Sequence, residues 1–293
     1  MVYLRGGSSV ISVNNLNFSY SRAKVKTLKD INFNIKRGEI FGFLGPSGSG
    51  KSTTQKILIG TLKNYYGSVK IDNKELKKLK KDYYNKIGVA FESPNFYSKF
   101  TAVENLNFFG SLFSSDISDI DILLESVNLL EYKNMRVGQF SKGMKMRLNL
   151  CRALINNPDI IFLDEPTSGL DPVNAKRVKD IILQKKSEGK TVFLTTHNMN
   201  VADEICDRVA FLVDGEIKLI DSPRQLKLSR GNKNVVVEYK GDDIVETKQY
   251  SMDQLLDNQD FQRVMRTKDV ERIYTQEASL ESIFIEVTGR ELT

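Results

Sequence analysis

Histidine, cysteine and long apolar runs are scarce in this chain of 293 residues, which contains one histidine, two cysteines and no tryptophan. Cys151 and Cys206 lie in separate helix-like segments and match no metal-ligand spacing, so we expect buried thiols in a reducing compartment. No stretch of the sequence approaches the roughly 18 consecutive apolar residues that a membrane-spanning helix needs. We expect no secretion signal, because residues 1–10 lack an apolar core.

Acidic residues are outnumbered by basic ones, 37 against 43, which gives a formal net charge of +6. Much of the local excess lies in one lysine-rich run, residues 73–86. Such a run is typical of a solvated surface helix, and no nucleic-acid-binding motif accompanies it. We therefore expect no nucleic acid among the partners of this protein.

The most specific motif of the chain is GPSGSGKS, residues 45–52, which fits the pattern G-x-x-x-x-G-K-[ST]. An apolar strand precedes it and a helix-like run follows it, as a phosphate-binding loop requires. Glycines let the backbone wrap around a polyphosphate, Lys51 reaches the β- and γ-phosphates, and Ser52 offers its hydroxyl to Mg²⁺. The nucleotide-binding residues predicted in this loop are Gly45, Pro46, Ser47, Gly48, Ser49, Gly50, Lys51, Ser52 and Thr53.

Two carboxylates follow a second apolar strand, residues 160–163, and supply candidates for a metal ligand and a general base, which a phosphate loop alone lacks. Adjacent residues at the end of a strand point to opposite sides, so Asp164 and Glu165 can take different roles. Asp164 is predicted to join Ser52 in holding Mg²⁺, and Glu165 to act as a general base on the attacking water. Buried carboxylates are costly unless a cation or hydrogen bonds compensate them.

The single histidine, His197, follows a third apolar strand, TVFLTT at residues 191–196. In open parallel sheets, ligands bind outside the carboxyl ends of the strands, where the phosphate loop and the two carboxylates are also expected. An imidazole at this edge can donate a hydrogen bond to the γ-phosphate. We therefore predict a catalytic role for His197 in sensing that phosphate.

Further motifs resemble those of the nucleotide-binding domain of ABC transporters. The segment FSKGMKMRLNLCRAL, residues 140–154, is similar to the signature of that family, whose common form is Leu-Ser-Gly-Gly-Gln. The resemblance implies that Ser141 and Gly143 bind a γ-phosphate, whereas Lys142 and Met144 depart from the common form. The Ser-Lys-Gly-Met variant is typical of exporters whose ATPase is a separate polypeptide from the permease.

Three more positions take their roles from the same resemblance. SGLD, residues 168–171, resembles the D-loop of the family, which makes Asp171 a candidate nucleotide-binding residue. Tyr20 occupies the position of the aromatic residue that stacks on adenine, although Phe18 or a packing role would also explain an aromatic residue there. Glu92 stands where the family has glutamine, so we expect it to contact Mg²⁺ or the attacking water.

The resemblance and the element pattern together imply an α/β fold: a P-loop NTPase (ABC ATPase) core with an antiparallel β subdomain and an inserted helical subdomain. The ATPase domain is expected at residues 10–222, with the helical subdomain at about 93–157. Residues 223–293 are expected to form a small α+β accessory domain with a helix at 252–265, serving either packing or regulation. Asp214-Gly215 predicts the turn of a hairpin.

The resemblance also implies partners and a location. Two chains would close head to tail over two ATP molecules, each presenting its Ser141 and Gly143 to the other chain's phosphate loop. The second chain would be another copy or a paralogous ATPase subunit. A separately encoded transmembrane permease would hold the protein, otherwise cytoplasmic, on the cytoplasmic face of the membrane. Residues 95–100, with Phe96, Tyr97 and Phe100, would form the docking surface unless they are core.

Two alternative functions use the same phosphate loop. A soluble ABC-type ATPase acting on ribosomes or DNA would carry a repeated cassette or long coiled coils, which this sequence lacks. A P-loop kinase of small molecules would have no use for the signature or the D-loop. The cargo of an exporter stays open among drugs, antimicrobial peptides, ions and lipids.

Overall fold

The computed structural model divides the chain into two compact units, the first up to Ser222 and the second beginning at Pro223. The structure describes residues 9–21, 25–114, 116–230, 234–241, 244–276 and 278–290. In these ranges no helix is both long enough and apolar enough to cross a membrane.

The first unit alternates strands and helices along the chain. Its strands are β1 (Ser9–Phe18), β2 (Leu28–Lys36), β3 (Ile40–Leu44), β4 (Tyr66–Ile71), β5 (Lys74–Glu75), β6 (Ile87–Ala90), β7 (Ile160–Asp164), β8 (Thr191–Thr196), β9 (Arg208–Val213) and β10 (Glu216–Asp221). Its helices are α1 (Lys51–Leu58), α2 (Lys81–Tyr84), α3 (Ala102–Gly110), α4 (Ile120–Ser126), α5 (Lys142–Leu154), α6 (Pro172–Ser187) and α7 (Met199–Ile205).

The central sheet has the strand order β10-β9-β3-β8-β7-β6, and all its neighbours are parallel except β10 and β9. Every residue of β3, β7 and β8 is buried, as expected of continuous apolar strands covered on both faces. Because β3, β7 and β8 are parallel, the segments that follow them leave the sheet at one edge. That edge carries the phosphate loop, the two carboxylates and His197.

A second, antiparallel sheet has the order β2-β1-β4-β5 and shares one hydrophobic core with the central sheet. β2 alternates buried and exposed residues, which is the pattern of a strand with one face on a core. From that face the Phe33 ring stacks on Phe41 at 5.6 Å and meets the edge of Phe43 at 5.0 Å. This aromatic contact joins the antiparallel subdomain to the strand that leads into the phosphate loop.

Helices α3, α4 and α5 lie between β6 and β7 in the chain and form the inserted helical subdomain. α3 begins with a capping box, in which Thr101 and Glu104 each bond the other's backbone. Ser141 caps the N-terminus of α5, and its side chain accepts a hydrogen bond from the Met144 amide. α5 packs against α3, α4 and β6. The predicted fold class is therefore confirmed.

The second unit contains α8 (Pro223–Arg230), β11 (Asn234–Lys240), β12 (Val245–Ser251), α9 (Gln259–Thr267), β13 (Val270–Gln276) and α10 (Leu280–Thr288). Its sheet has the antiparallel order β12-β11-β13, and Val264 of α9 packs on Val237 and Tyr239 of the central strand. Ser279 caps the N-terminus of α10 by accepting a hydrogen bond from the Ser282 amide, and α10 packs against α8. This unit is the expected small α+β extension.

Three local expectations can be compared with the structure. The hairpin turn is confirmed, because Asp214 and Gly215 both adopt positive φ values, 52° and 77°. The helix expected at 252–265 is wrong in its first half, since Asn258 caps a helix that starts only at Gln259. The lysine-rich run at 73–86 is not one helix but a short strand, a 3₁₀ turn and a single helical turn. Both cysteines are buried thiols, as expected.

Candidate active site

The phosphate loop connects β3 to α1, and two of its glycines are required by geometry. Gly50 has φ of 111°, a conformation that residues with a Cβ rarely adopt. A Cβ on Gly45 would lie 2.1 Å from the Leu212 carbonyl oxygen, so the loop passes directly over β9. Within the loop Lys51 Nζ donates to the carbonyl oxygens of Gly45 at 2.6 Å and Pro46 at 2.9 Å. The lysine is thus held by the backbone of its own loop.

Lys51 is a nearly buried cation that faces three carboxylates. Burial lowers its pKa, and the charges of Glu165, Asp164 and Glu92 oppose that shift. Three carboxylates around one ammonium leave this end of the cavity with excess negative charge. A divalent cation that arrives with a nucleotide would compensate that charge.

Asp164, at the end of β7, is buried and held by hydroxyl groups. Its Oδ1 accepts hydrogen bonds from Thr195 Oγ1 and from Ser52 Oγ, the latter at 3.3 Å. Hydroxyl and carboxylate oxygens are the ligands that Mg²⁺ prefers, and Mg²⁺ completes its shell with phosphates and water rather than with a protein cage. Accordingly, in the described part of the chain no three His, Cys, Asp or Glu residues cluster as ligands. The donor set therefore fits Mg²⁺ bound together with a nucleotide.

Glu165 adopts a left-handed backbone conformation, with φ of 49°, which is uncommon outside glycine and typical of constrained functional positions. Both of its carboxylate oxygens are held by the last residue of β8 and the residue that follows it. Oε2 accepts from Thr196 Oγ1 at 2.9 Å, and Oε1 accepts from the His197 amide at 2.9 Å. The His197 ring contributes as well, with Nδ1 at 2.7 Å from Oε1. The predicted base is therefore fixed in one orientation.

Tyr20 lies at the other end of the cavity, where its hydroxyl is 3.2 Å from Thr53 Oγ1. Its ring meets the edge of Phe18 at a centroid distance of 4.9 Å. Phe18 is buried in the core and supports the tyrosine, which is exposed. Of the two aromatic residues, Tyr20 is therefore the one available to a base.

These side chains surround a cavity of about 570 Å³, large enough for a nucleotide. Its lining residues are Tyr20, Thr27, Ser47, Gly48, Gly50, Lys51, Ser52, Thr53, Glu92, Asp164, Glu165 and His197. Thr27 was not expected, and no motif marks it in the sequence. Thr195 and Thr196 were also missed, although two hydroxyls at the end of a buried strand were a usable signal.

Gly45, Pro46 and Ser49 belong to the loop but do not line the cavity. Ser141, Gly143 and Asp171 do not line it either. Ser141 and Asp171 instead cap the N-termini of α5 and α6, where hydrogen bonds from Asn174 hold the pKa of Asp171 below its usual range. A Cβ at Gly143 would lie 3.5 Å from Leu170 Cδ2, so the signature-like segment packs beside residues 168–171, outside the cavity of its own chain.

Comparison with known proteins identifies the family. Residues 28–168 match the sequence profile described as ABC transporter, and residues 233–277 match one described as the fluoroquinolone efflux ABC transporter C-terminal domain. The chain is 52% identical over 290 residues to a fluoroquinolones export ATP-binding protein of Mycobacterium tuberculosis, covering 99% of this chain and 96% of that protein. It is 32% identical to the bacitracin transport ATP-binding protein BcrA of Bacillus licheniformis, covering 96% of this chain and 98% of the relative.

Solved structures agree with these sequence relatives. A dimeric ATP-binding cassette described as a post-hydrolysis state bound to ADP and Pi is 32% identical and superimposes with a TM-score of 0.66. That match covers 72% of this chain and 98% of the cassette. An ATP-binding subunit of an ABC transporter matches with a TM-score of 0.68 at 26% identity, covering 75% of this chain and 92% of that one. Transport is therefore favoured over the kinase and the non-transport ATPase, and the chain belongs to the ABC transporter ATP-binding proteins, as the ATPase subunit of an exporter.

Proposed function

We propose that two copies of this chain, or one copy and a paralogous ATPase subunit, close head to tail over two molecules of ATP with Mg²⁺. The observation that carries the proposal is the separation of two half-sites. The phosphate loop, Asp164, Glu165 and His197 converge on one cavity, whereas Ser141 and Gly143 lie outside it. A second chain can bring its own signature to the open side of that cavity. The γ-phosphate then bridges the two chains, so closure depends on ATP and is lost after hydrolysis.

Within each cavity we assign the roles as follows. Lys51 and the amides at the start of α1 bind the β- and γ-phosphates, and Tyr20 stacks on adenine. Ser52 and Asp164 hold Mg²⁺, with Glu92 beside them; the ion neutralises phosphate charge when it is bound. Glu165 accepts the proton of the attacking water, and His197 keeps its carboxylate oriented towards that water.

The domain assignment follows from the same proposal. Residues 10–222 constitute the ATPase domain, with a helical subdomain at about 93–157, and residues 223–293 form an accessory domain. A separately encoded transmembrane permease holds the assembly on the cytoplasmic face of the membrane. Exposed Tyr97 and Phe100, together with half-buried Phe96, form the surface on which the permease docks.

The cargo that we propose is a planar aromatic drug of the fluoroquinolone class. Support comes from the mycobacterial relative, whose name specifies fluoroquinolone export and whose similarity extends over nearly the whole chain. We expect cells that express this chain with its permease to accumulate less fluoroquinolone than cells that express the Lys51→Ala variant with the same permease. Equal accumulation in the two strains, with both proteins present in the membrane, would exclude this cargo.

Head-to-tail closure can be tested by gel filtration of the Glu165→Gln variant with and without ATP. The amide is isosteric with the carboxylate. Its oxygen can accept from the His197 amide and its NH2 can donate to the Thr196 hydroxyl, which reorients to accept, so the chain should fold and bind ATP. Loss of the base should slow hydrolysis by about 100-fold or more, and the closed dimer should accumulate. An ATP-saturated variant that elutes as a monomer would contradict the proposal.

A matched control separates closure through the signature from other association. In the Glu165→Gln background, Gly143→Asp places a carboxylate where the partner's γ-phosphate would lie. A Cβ at Gly143 meets Leu170 Cδ2 at 3.5 Å, an ordinary contact, so the fold should tolerate the change. The double variant should bind ATP and stay monomeric. A dimer that survives this substitution would show that the signature is not part of the interface.

A further inference from the structure

A second cavity, of about 470 Å³, is walled by aromatic rings and has a cation within it. Its lining residues are Phe91, Asn95, Phe96, Tyr97, Phe109 and Arg152. The rings of Phe96 and Phe109 meet at 6.1 Å, and Tyr97 lies 6.4 Å from Phe109. Buried Asn105 braces the outer wall, because it accepts from the Tyr97 amide and donates to the Tyr97 carbonyl. The pocket is thus pre-formed and apolar around one charged group.

Arg152 is the charged group of this pocket. Its guanidinium carbon is 4.9 Å from the Phe96 ring centroid and 5.0 Å from that of Phe109. Burial lowers its pKa to about 10, and no neighbouring carboxylate opposes that shift. Among the residues that the structure describes, Arg152 has no ion-pair partner. A partly desolvated cation next to an open pocket favours an anion in that pocket.

The same guanidinium holds the segment that leads to the ATP cavity. Arg152 donates to the Asn95 carbonyl at 2.9 Å and to Asn149 Oδ1 at 2.5 Å. Asn149 in turn donates to the Phe91 carbonyl at 2.7 Å. Both ends of segment 91–95 are therefore tied to Arg152, and Glu92 within it lines the ATP cavity near Lys51. Anything that re-orients the guanidinium changes the restraint on Glu92.

Arg152 and Asn149 also lie on α5, the helix whose N-terminus is capped by Ser141 of the signature. One rigid helix therefore connects the aromatic pocket with the half-site that a partner's nucleotide would meet. Glu92 belongs to the other half-site. A change in the pocket can therefore reach both half-sites through Arg152: Glu92 in one and the signature in the other.

We propose that Arg152 is a positioning residue for ATP hydrolysis and that its pocket receives a carboxylate from a cytoplasmic segment of the transmembrane permease. The inference rests on the proposed function. The carboxylate forms a bidentate ion pair with the guanidinium, which breaks the hydrogen bonds from Arg152 to Asn95 and Asn149. The segment that carries Glu92 is then no longer restrained by Arg152. The aromatic walls cover the apolar neighbours of that carboxylate. The partner is a protein segment because exposed Tyr97, Phe100 and Phe108 extend the pocket into a wider apolar surface.

The experiment measures assembly of the detergent-purified permease with variants of the full chain, together with ATPase activity with and without the permease. Arg152→Met keeps an unbranched apolar stem between the two rings and removes the charge. Its affinity for the permease should fall by about tenfold or more, as expected for a desolvated charge pair. Lys63→Met is the control, since it removes an exposed cation that lies outside both the pocket and the docking surface at residues 95–100, and it should bind as the unaltered chain does.

Arg152→Lys retains the charge but not the planar fork that reaches Asn95 and Asn149 together. It should bind the permease within about threefold of the unaltered chain and lose most of the stimulation of ATPase activity by the permease. Arg152→Glu should no longer assemble with the permease. Replacing one cytoplasmic Asp or Glu of the permease by Arg should raise the affinity of the two proteins again by at least about tenfold.

Three outcomes would overturn the inference: unchanged affinity of Arg152→Met, stimulation of Arg152→Lys equal to that of the unaltered chain, or absence of any charge reversal that rescues Arg152→Glu. The unfolding midpoint of each variant shows whether it is folded. If Arg152→Met does not fold, the permease stimulation of Arg152→Lys tests the inference in its place. If the Arg152 variants contradict the inference while Glu165→Gln still dimerises with ATP, only the inference is rejected and the proposed function is retained. Failure of that dimerisation would reject the proposed function whatever the Arg152 variants show.

Discussion

Replacing His197 by alanine tests whether its ring works on the carboxylate of Glu165 rather than supporting the fold. The side chain is 57% exposed, and its one close contact in the site is Nδ1 to Glu165 Oε1 at 2.7 Å. The backbone amide of residue 197 donates to the same oxygen, and this bond survives the substitution. The carboxylate is therefore not orphaned, and the free energy of unfolding should change by less than about 1 kcal/mol.

The loss of activity follows from that one contact. In the resting protein the backbone amide and solvent offset most of the lost contact, whereas in the hydrolytic step the ring holds the carboxylate towards the attacking water. We expect the contact to be worth about 1.5–3 kcal/mol more in that step, the range of a hydrogen bond to a charged group, and each ~1.36 kcal/mol of barrier corresponds to roughly a tenfold change in rate. The steady-state ATPase rate of His197→Ala at saturating ATP should therefore fall by about 10- to 150-fold. His197→Gln, which keeps one donor, should fall less.

Two results would refute this reasoning. One is a rate for His197→Ala within about threefold of the unaltered chain, which would leave no role for the ring. The other is a loss that appears mainly as weaker ATP binding, measured separately by equilibrium titration. That pattern would place the contribution of the ring in ground-state binding rather than in the hydrolytic step.

Two further predictions concern stability and reactivity. Gly50→Ala should lower the free energy of unfolding, measured in urea, by about 1–3 kcal/mol more than Gly48→Ala does. A Cβ at Gly50 would lie 2.6 Å from Leu28 Cδ2, whereas a Cβ at Gly48 would meet nothing within 4 Å. Equal losses of stability in the two variants would show that the positive φ, and not this contact, sets the cost. Cys151 should react with maleimide only as fast as the chain opens, since burial raises the pKa of its thiol; labelling at the rate of a free thiol would contradict its burial.

Several features of this protein could be predicted from short stretches of sequence. The phosphate loop, the buried strand before Asp164 and the Asp214-Gly215 turn depend on local backbone chemistry, so their patterns sufficed. The lysine-rich run was harder, because charge density predicts exposure but not the breaks in a helix. The start of α9 was missed because a cap at Asn258 outweighed a continuous helical pattern.

The sequence by itself determined the chemical groups: a lysine and a serine in register on a glycine loop, two carboxylates after an apolar strand, and one histidine after another. Only the tertiary structure decided which of them meet. Ser52 and Asp164 are 112 positions apart and come together because β3 and β7 are parallel strands on either side of β8. The structure alone placed Arg152 among aromatic rings, with no ion-pair partner within the described ranges. Apart from Asn149 one turn away on the same helix, its partners are the Asn95 carbonyl and two ring faces from distant segments, and long-range packing of that kind leaves no periodic trace in a sequence.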